Sequence, residues 1–251
     1  MRRSYFHFVT LFRIPININY SWFIILGLVI FSLATGYFPS TNPELDIYAH
    51  WLMGFIASLL LFASLLAHEL AHSLVAKHYN LPINGITLFV FGGVAHLERE
   101  PDTPGVELKM AIAGPALSGL LALLLFFLSL LLIKLSAPTF VLAIINYLIL
   151  LNLVVGLANL IPGFPLDGGR IFRALIWTVT GNFKTATSIA SYIGKMFACL
   201  LIGLGIFALW NALLLNGIWF IFLGLFLYEA AEISYLNATV RRRKFLWHKA
   251  Y

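Results

Sequence analysis

The chain has 251 residues, 61% of them hydrophobic and 10% charged, with a net charge of +6 and a mean hydropathy of +0.93. A soluble globular domain carries about 25% charged residues; this composition excludes one, and several apolar runs reach the roughly 20 residues that cross a bilayer as a helix. The basic residues gather near helix ends and form no stripe, which excludes a nucleic-acid surface and suits topology-setting charges.

In chain order, Met1 to Asn19 places Arg2, Arg3 and Arg13 among aromatic residues and reads as an interfacial, cytoplasmic lead-in. No small-residue cleavage site accompanies the first apolar run, so the first span is expected to stay in the protein. Spans are predicted near 20–37 and 51–79, joined by a loop with Glu44 and Asp46 but no Lys or Arg. A β-hairpin is predicted near 86–97, where β-favouring runs flank Phe91-Gly92-Gly93 and glycine supplies the positive φ of a tight turn. Glu98 to Glu107 reads as a charged surface loop.

Further spans are predicted near 108–135, 139–161, 189–209 and 213–231. The first of these contains Ala113-Gly114-Pro115, then Ser118 and Gly119, small residues that let helix backbones approach closely in lipid. The next is broken by Pro162 and Pro165, and Ile171 to Lys184 reads as interfacial, anchored by Arg170, Arg173 and Lys184. The lone Cys199 cannot form an intramolecular disulfide and is predicted to pack within its span. Arginines before the first span and Arg241 to Lys244 after the sixth place both termini in the cytoplasm by the positive-inside rule. The expected fold is an all-α polytopic membrane protein, a single domain over 1–251, with six transmembrane helices and a short membrane-associated β-hairpin after the second span.

One stretch in the second span carries chemistry. His68-Glu69-Leu70-Ala71-His72 has the pattern H-E-x-x-H, and residues four apart on a helix share a face, so both imidazoles can ligate one zinc ion. Glu69, beside the first ligand, is placed to act as general base toward a zinc-activated water. An ionisable group near mid-bilayer costs about 2.5–3.5 kcal/mol on insertion scales, a cost that an incidental polar cluster does not explain. Catalytic zinc sites take three protein ligands, and Asp167 is the best candidate for the third. Pro162, Pro165 and Gly168-Gly169 break the helix around it, and non-helical backbone at membrane depth persists only where it is packed or lines a cavity. The competing role for Asp167 is to cap a helix starting near Gly169.

His68-Glu69-Leu70-Ala71-His72, taken with Asn159-Leu160-Ile161-Pro162-Gly163-Phe164-Pro165-Leu166-Asp167-Gly168-Gly169, resembles the site-2 protease family of intramembrane zinc metalloproteases, in its prokaryotic six-span branch. The resemblance extends to Phe91-Gly92-Gly93 and Ala113-Gly114-Pro115 and covers nearly the whole chain. It implies that His68, His72 and Asp167 bind one zinc ion, that Glu69 is catalytic, and that Asn159 holds substrate or the developing oxyanion. An Asn at that break can instead satisfy freed backbone groups. The PDZ or CBS domains that some members carry are not expected within 1–251.

The implied substrates are single-span or other membrane proteins in a prokaryotic cell membrane, locally unwound because helical peptide bonds are hard to attack. The hairpin at Gly92 and Gly93 offers an edge to which an extended substrate could add as a strand, or it plugs the cytoplasmic face. His78 and His96 are expected at the aqueous boundary, as are Glu229 and Glu232. Two rival functions are a membrane zinc carrier, disfavoured by the single broken span and by Glu69, and a non-catalytic relative that binds membrane proteins without cutting them.

Overall fold

The computed structural model describes residues 5–90 and 92–250, with side chains up to 236. Arg2, Arg3 and Phe91 lie outside the described residues, as do the side chains of Arg241 to Lys244. Internal packing divides the chain into two compact units, Met1–Leu97 with Ala113–Leu157, and Glu98–Ile112 with Ala158–Tyr251.

The first unit begins with a hairpin that the reading of 1–19 as a lead-in does not contain: β1 (Tyr5–Leu11) and β2 (Ile14–Asn19). Its connection is the two residues Phe12 (φ 51°) and Arg13 (φ 63°), both left-handed, a conformation that costs a residue with a Cβ about 1–2 kcal/mol. In β2 the period-2 alternation buries Ile14, Ile16 and Ile18, each side chain stabilising the fold by about 1.5–3 kcal/mol. Helix α1 (Ser21–Ser32) continues through a wider π turn at Leu33–Tyr37 into α2 (Phe38–Thr41). Helix α3 (Ile47–His78) then starts at Asp46, whose carboxylate caps it by accepting from the Ala49 N–H at 2.7 Å.

Strands β3 (Ile83–Phe89) and β4 (Gly92–Leu97) complete one sheet in the order β1-β2-β3-β4, with β2 and β3 parallel and the other pairs antiparallel. Phe89 pairs with Gly92, so both predicted turn glycines belong to strand β4, although Gly92 does have a positive φ of 119°. The apolar face of the sheet, Ile14, Ile16 and Ile86, packs on Leu66 and Leu70 of α3. That packing is what brings β4 beside the H-E-x-x-H stretch. Trp22 of α1 meets Phe62 of α3 edge to face, with ring centroids 5.0 Å apart.

Helix α4 (Pro104–Lys134) and α5 (Thr139–Asn159) contribute Ala113–Leu157 to the first unit. Their backbones approach where a Cβ on Gly156 would lie 3.4 Å from that of Ser118. The second unit holds α6 (Asp167–Thr180), α7 (Phe183–Trp210) and α8 (Leu214–Ala250). Among the described residues, six helical stretches, Ser21–Thr41, Ile47–His78, Pro104–Lys134, Thr139–Asn159, Phe183–Trp210 and Leu214–Leu236, are long and apolar enough to cross a membrane. They match the six predicted spans, and the chain is an integral membrane protein.

Arg173 departs from its predicted role as an interfacial anchor, because it is buried. Its Nε donates to Glu107 Oε1 at 2.6 Å and its Nη2 to Glu100 Oε2 at 2.8 Å, while the guanidinium lies 5.0 Å from the Phe164 ring and 4.7 Å from the Phe183 ring. Burial works against its charge, but the carboxylates of Glu107 and Glu100 outweigh that and hold its pKa above the ordinary value. Cys199 also departs from expectation: its side chain is exposed.

Candidate metal centre

His68 and His72 leave the same face of α3, their ring centroids 4.8 Å apart and their planes at 74°. The opposite wall is Gly114 of α4. A Cβ built there would lie 2.5 Å from His68 Nε2 and closer still to His72 Nε2. Both ring tips therefore converge on a space that any side chain at residue 114 would fill. Such a cradle, with two imidazole nitrogens aimed into it, fits a zinc ion, for which His nitrogen is a preferred ligand. Glycine at 114 thus admits the imidazoles, and the helix approach predicted from these small residues occurs at Ser118 and Gly156.

Ser118 is the functional residue that sequence reasoning passed over, having counted it only as small. It lies four residues after Gly114, on the same helix face, and its Oγ sits 2.9 Å from His68 Nδ1, fully buried. Were Nε2 to hold a metal, the proton would stay on Nδ1 and His68 would donate to Ser118, the kind of contact that orients a metal-binding histidine. The available signal was the i, i+4 spacing of Gly114 and Ser118.

Glu69, partly buried, lies under β4. A Cβ on Gly93 would lie 2.7 Å from Glu69 Cγ, so the strand backbone runs directly against this side chain. The structure thus brings Glu69, His68, His72 and Gly93 together within the first unit; Gly92 lies one residue nearer the turn, with open space around it.

In the second unit, Asp167 is the first residue of α6. The N-cap position belongs to Leu166, which makes no side-chain capping bond, so Asp167 is not the cap. A first-turn carboxylate is still favoured by the helix dipole, by about 0.3–1 kcal/mol. The preceding loop folds back tightly over the helix start: a Cβ on Gly169 would lie 2.5 Å from Phe164 N. Phe164 N–H in turn donates to Ala190 O at 3.3 Å, and the Phe164 ring packs against buried Arg173. Backbone proximity and a buried cation hold the Asp167 segment in place.

Asn159 is the last residue of α5. His96 Nε2 lies 2.9 Å from Thr87 Oγ1 across the hairpin, and exposed His78 packs on Tyr79 at the end of α3, so neither joins the two converging imidazoles. Glu232 pairs with Lys195 between α8 and α7.

Residues 56–137 and 132–201 match the family profile of Peptidase family M50. The chain belongs to that family, the site-2 proteases. Within it, this chain is 43% identical over 236 residues to "Putative zinc metalloprotease sll0528" of Synechocystis sp., an alignment covering 93% of this chain and 60% of the relative. It is 38% identical over 217 residues to "Putative zinc metalloprotease Rip3" of Mycobacterium tuberculosis, covering 86% and 55%. The chain therefore spans less than two thirds of the length of these curated relatives. Among solved structures it is similar to the site-2 protease from Methanocaldococcus jannaschii, with a TM-score of 0.60 and 30% identity over 92% of this chain and 95% of that one. The M50 chain thus has the family's six-span helical fold and relatives named as zinc metalloproteases.

Proposed function

We propose that the chain is an intramembrane zinc metalloprotease that cuts a peptide bond within or near the transmembrane segment of membrane-protein substrates. The observation that carries this reading is the convergence of His68 Nε2 and His72 Nε2 over Gly114, with Glu69 beside them, on a helix long and apolar enough to span a bilayer. Asp167 is the third ligand in this proposal. Its support is the resemblance of the Asn159 to Gly169 stretch to the family, and its place as the first residue of α6, behind a loop folded tightly over the helix start.

His68, His72 and Asp167 would hold the zinc ion, which would supply Lewis acidity toward a water and the scissile carbonyl. Glu69 takes the proton of the attacking water and returns it to the leaving nitrogen. Ser118 keeps the His68 ring in the orientation that presents Nε2. Asn159 is assigned to hold a substrate carbonyl. The β4 strand is an edge of the sheet, so an extended substrate segment can add to it through main-chain hydrogen bonds, and Gly93 then places that segment against Glu69. The substrate must be locally unwound to offer this strand. The domain is a single membrane-embedded metalloprotease domain with both termini in the cytoplasm of a prokaryotic cell, in keeping with the positive-inside rule.

The deciding experiment co-expresses the chain with a tagged single-span membrane protein and compares it with Glu69→Gln at matched expression, with zinc measured in both. Cleavage by the native chain alone, with equal zinc, is the expected result. A Glu69→Gln chain that still cuts would remove the role given to Glu69, and cleavage by neither across a panel of substrates would overturn the protease reading.

A further inference from the structure

The turn between β1 and β2 is built from residues that its backbone disfavours. Two-residue hairpin turns with positive φ at both central positions are ordinarily Asn-Gly or a similar pair, because larger side chains crowd the backbone there. Here the pair is Phe12 and Arg13. Bulky residues kept in a disfavoured conformation point to side chains with a task that a relaxed pair would not perform.

Their surroundings show the task. Arg13 lines a cavity of about 300 Å³ together with Ile14, Lys77, Asn80, Leu81 and Ile83. Lys77 Nζ donates to Phe12 O at 2.7 Å, tying the turn to the last turn of α3, where the span ends. An ammonium has three donors, so two remain. The lining carries two cations and no carboxylate. Phe12, next to Arg13 in the turn, is 65% exposed, and Phe8, earlier on β1, is 63% exposed. Exposed phenylalanine rings at a span's end bury at the boundary between headgroups and acyl chains, and basic pockets at that level bind anionic lipid headgroups.

We propose that this cavity binds the headgroup phosphate of an anionic phospholipid. Arg13 and Lys77 are its counter-charges, and Phe12 and Phe8 sit at the top of the acyl chains. A zwitterionic lipid fits less well, since no carboxylate is present to meet its amine. A free phosphate would make no use of the exposed rings. A volume of about 300 Å³ is at the small end for ligand pockets and suits a headgroup, not a whole lipid. This site is independent of the protease reading, since it shares no residue with the metal centre.

The test titrates the purified full chain in detergent with short-chain phosphatidylglycerol, short-chain phosphatidylcholine and inorganic phosphate, following heat. Phosphatidylglycerol should bind saturably and at least about tenfold more tightly than phosphatidylcholine, and Arg13→Gln or Lys77→Gln should each weaken it about fivefold. The double variant Phe12→Asn/Arg13→Gly relaxes the turn, so its unfolding temperature should hold or rise while the lipid preference disappears. Equal binding of the two lipids, or a double variant that binds like the native chain, overturns the proposal. Inorganic phosphate binding as tightly as phosphatidylglycerol overturns the lipid assignment. Should the double variant unfold at lower temperature, Lys77→Gln decides, because its amide can still donate to Phe12 O; undiminished binding by that variant refutes the site.

Discussion

Gly114→Ala is the sharpest test of the metal centre, because two effects of one methyl group oppose each other. In a helix interior, alanine is favoured over glycine by about 0.5–1 kcal/mol, so on local grounds α4 should gain stability. The new Cβ, however, would lie 2.5 Å from His68 Nε2 and nearer to His72 Nε2, where ordinary non-bonded contact needs about 3.5–4.0 Å. Each ring tip must retreat by roughly 1 Å. Zinc–ligand distances are held within about 0.2 Å of their preferred values, so this displacement is about fivefold too large for two ligands at once. Loss of a mere hydrogen-bond partner of a ligand costs about 10–100-fold in affinity. Displacing two ligands should therefore cost at least about 100-fold, or about 2.7 kcal/mol. The assay is zinc competition against a chelating indicator on detergent-purified chain, with thermal unfolding in parallel. Gly119→Ala on the same helix is the control, since a Cβ there meets nothing within 4 Å. If Gly114→Ala binds zinc within about twofold of the native chain, the placement of the imidazoles over Gly114 is wrong.

Other substitutions probe separate parts of the site. Ser118→Ala should lower zinc affinity about 10–100-fold in the same competition assay without unfolding the chain, because it removes only the group that orients His68. Gly93→Ala should leave zinc content unchanged and slow cleavage of a co-expressed substrate, since its Cβ would press on Glu69 Cγ at 2.7 Å. Arg173→Met should destabilise the chain by about 3–5 kcal/mol in thermal unfolding, because it strands the buried carboxylate of Glu107. Pairing it with Glu107→Leu should recover most of that loss, and no recovery would show that the ion pair is not the cause. Chelation should abolish cleavage, and added zinc should restore it; cleavage that survives complete zinc removal would refute the proposed chemistry.

Composition and periodicity made much of this protein legible before any tertiary contact was known. Six apolar stretches of spanning length require six helices, because in lipid the backbone must satisfy its own hydrogen bonds. The four-residue spacing of His68 and His72 puts them on one face by helix geometry alone. The same logic was available for Ile14, Ile16 and Ile18, whose alternation marks a half-buried strand, but a turn made of Phe12 and Arg13 lacks the Asn or Gly that signals a hairpin.

Contacts between segments distant in sequence could not be read this way. Whether Gly114 separates helices or makes room for imidazoles depends on which side chains α3 turns toward α4, and Gly93 likewise acquires its role only from Glu69 lying beneath it. Arg173 looked like an interfacial anchor because an arginine near a span end normally reaches water. Its burial became affordable only once Glu100, Glu107, Phe164 and Phe183 had been brought around it. The sequence by itself determined which segments cross the membrane and which residues could hold a metal, since both follow from local hydropathy and spacing. Tertiary structure alone decided what each of those residues faces, because a side chain's surroundings are set by long-range packing that no local pattern encodes.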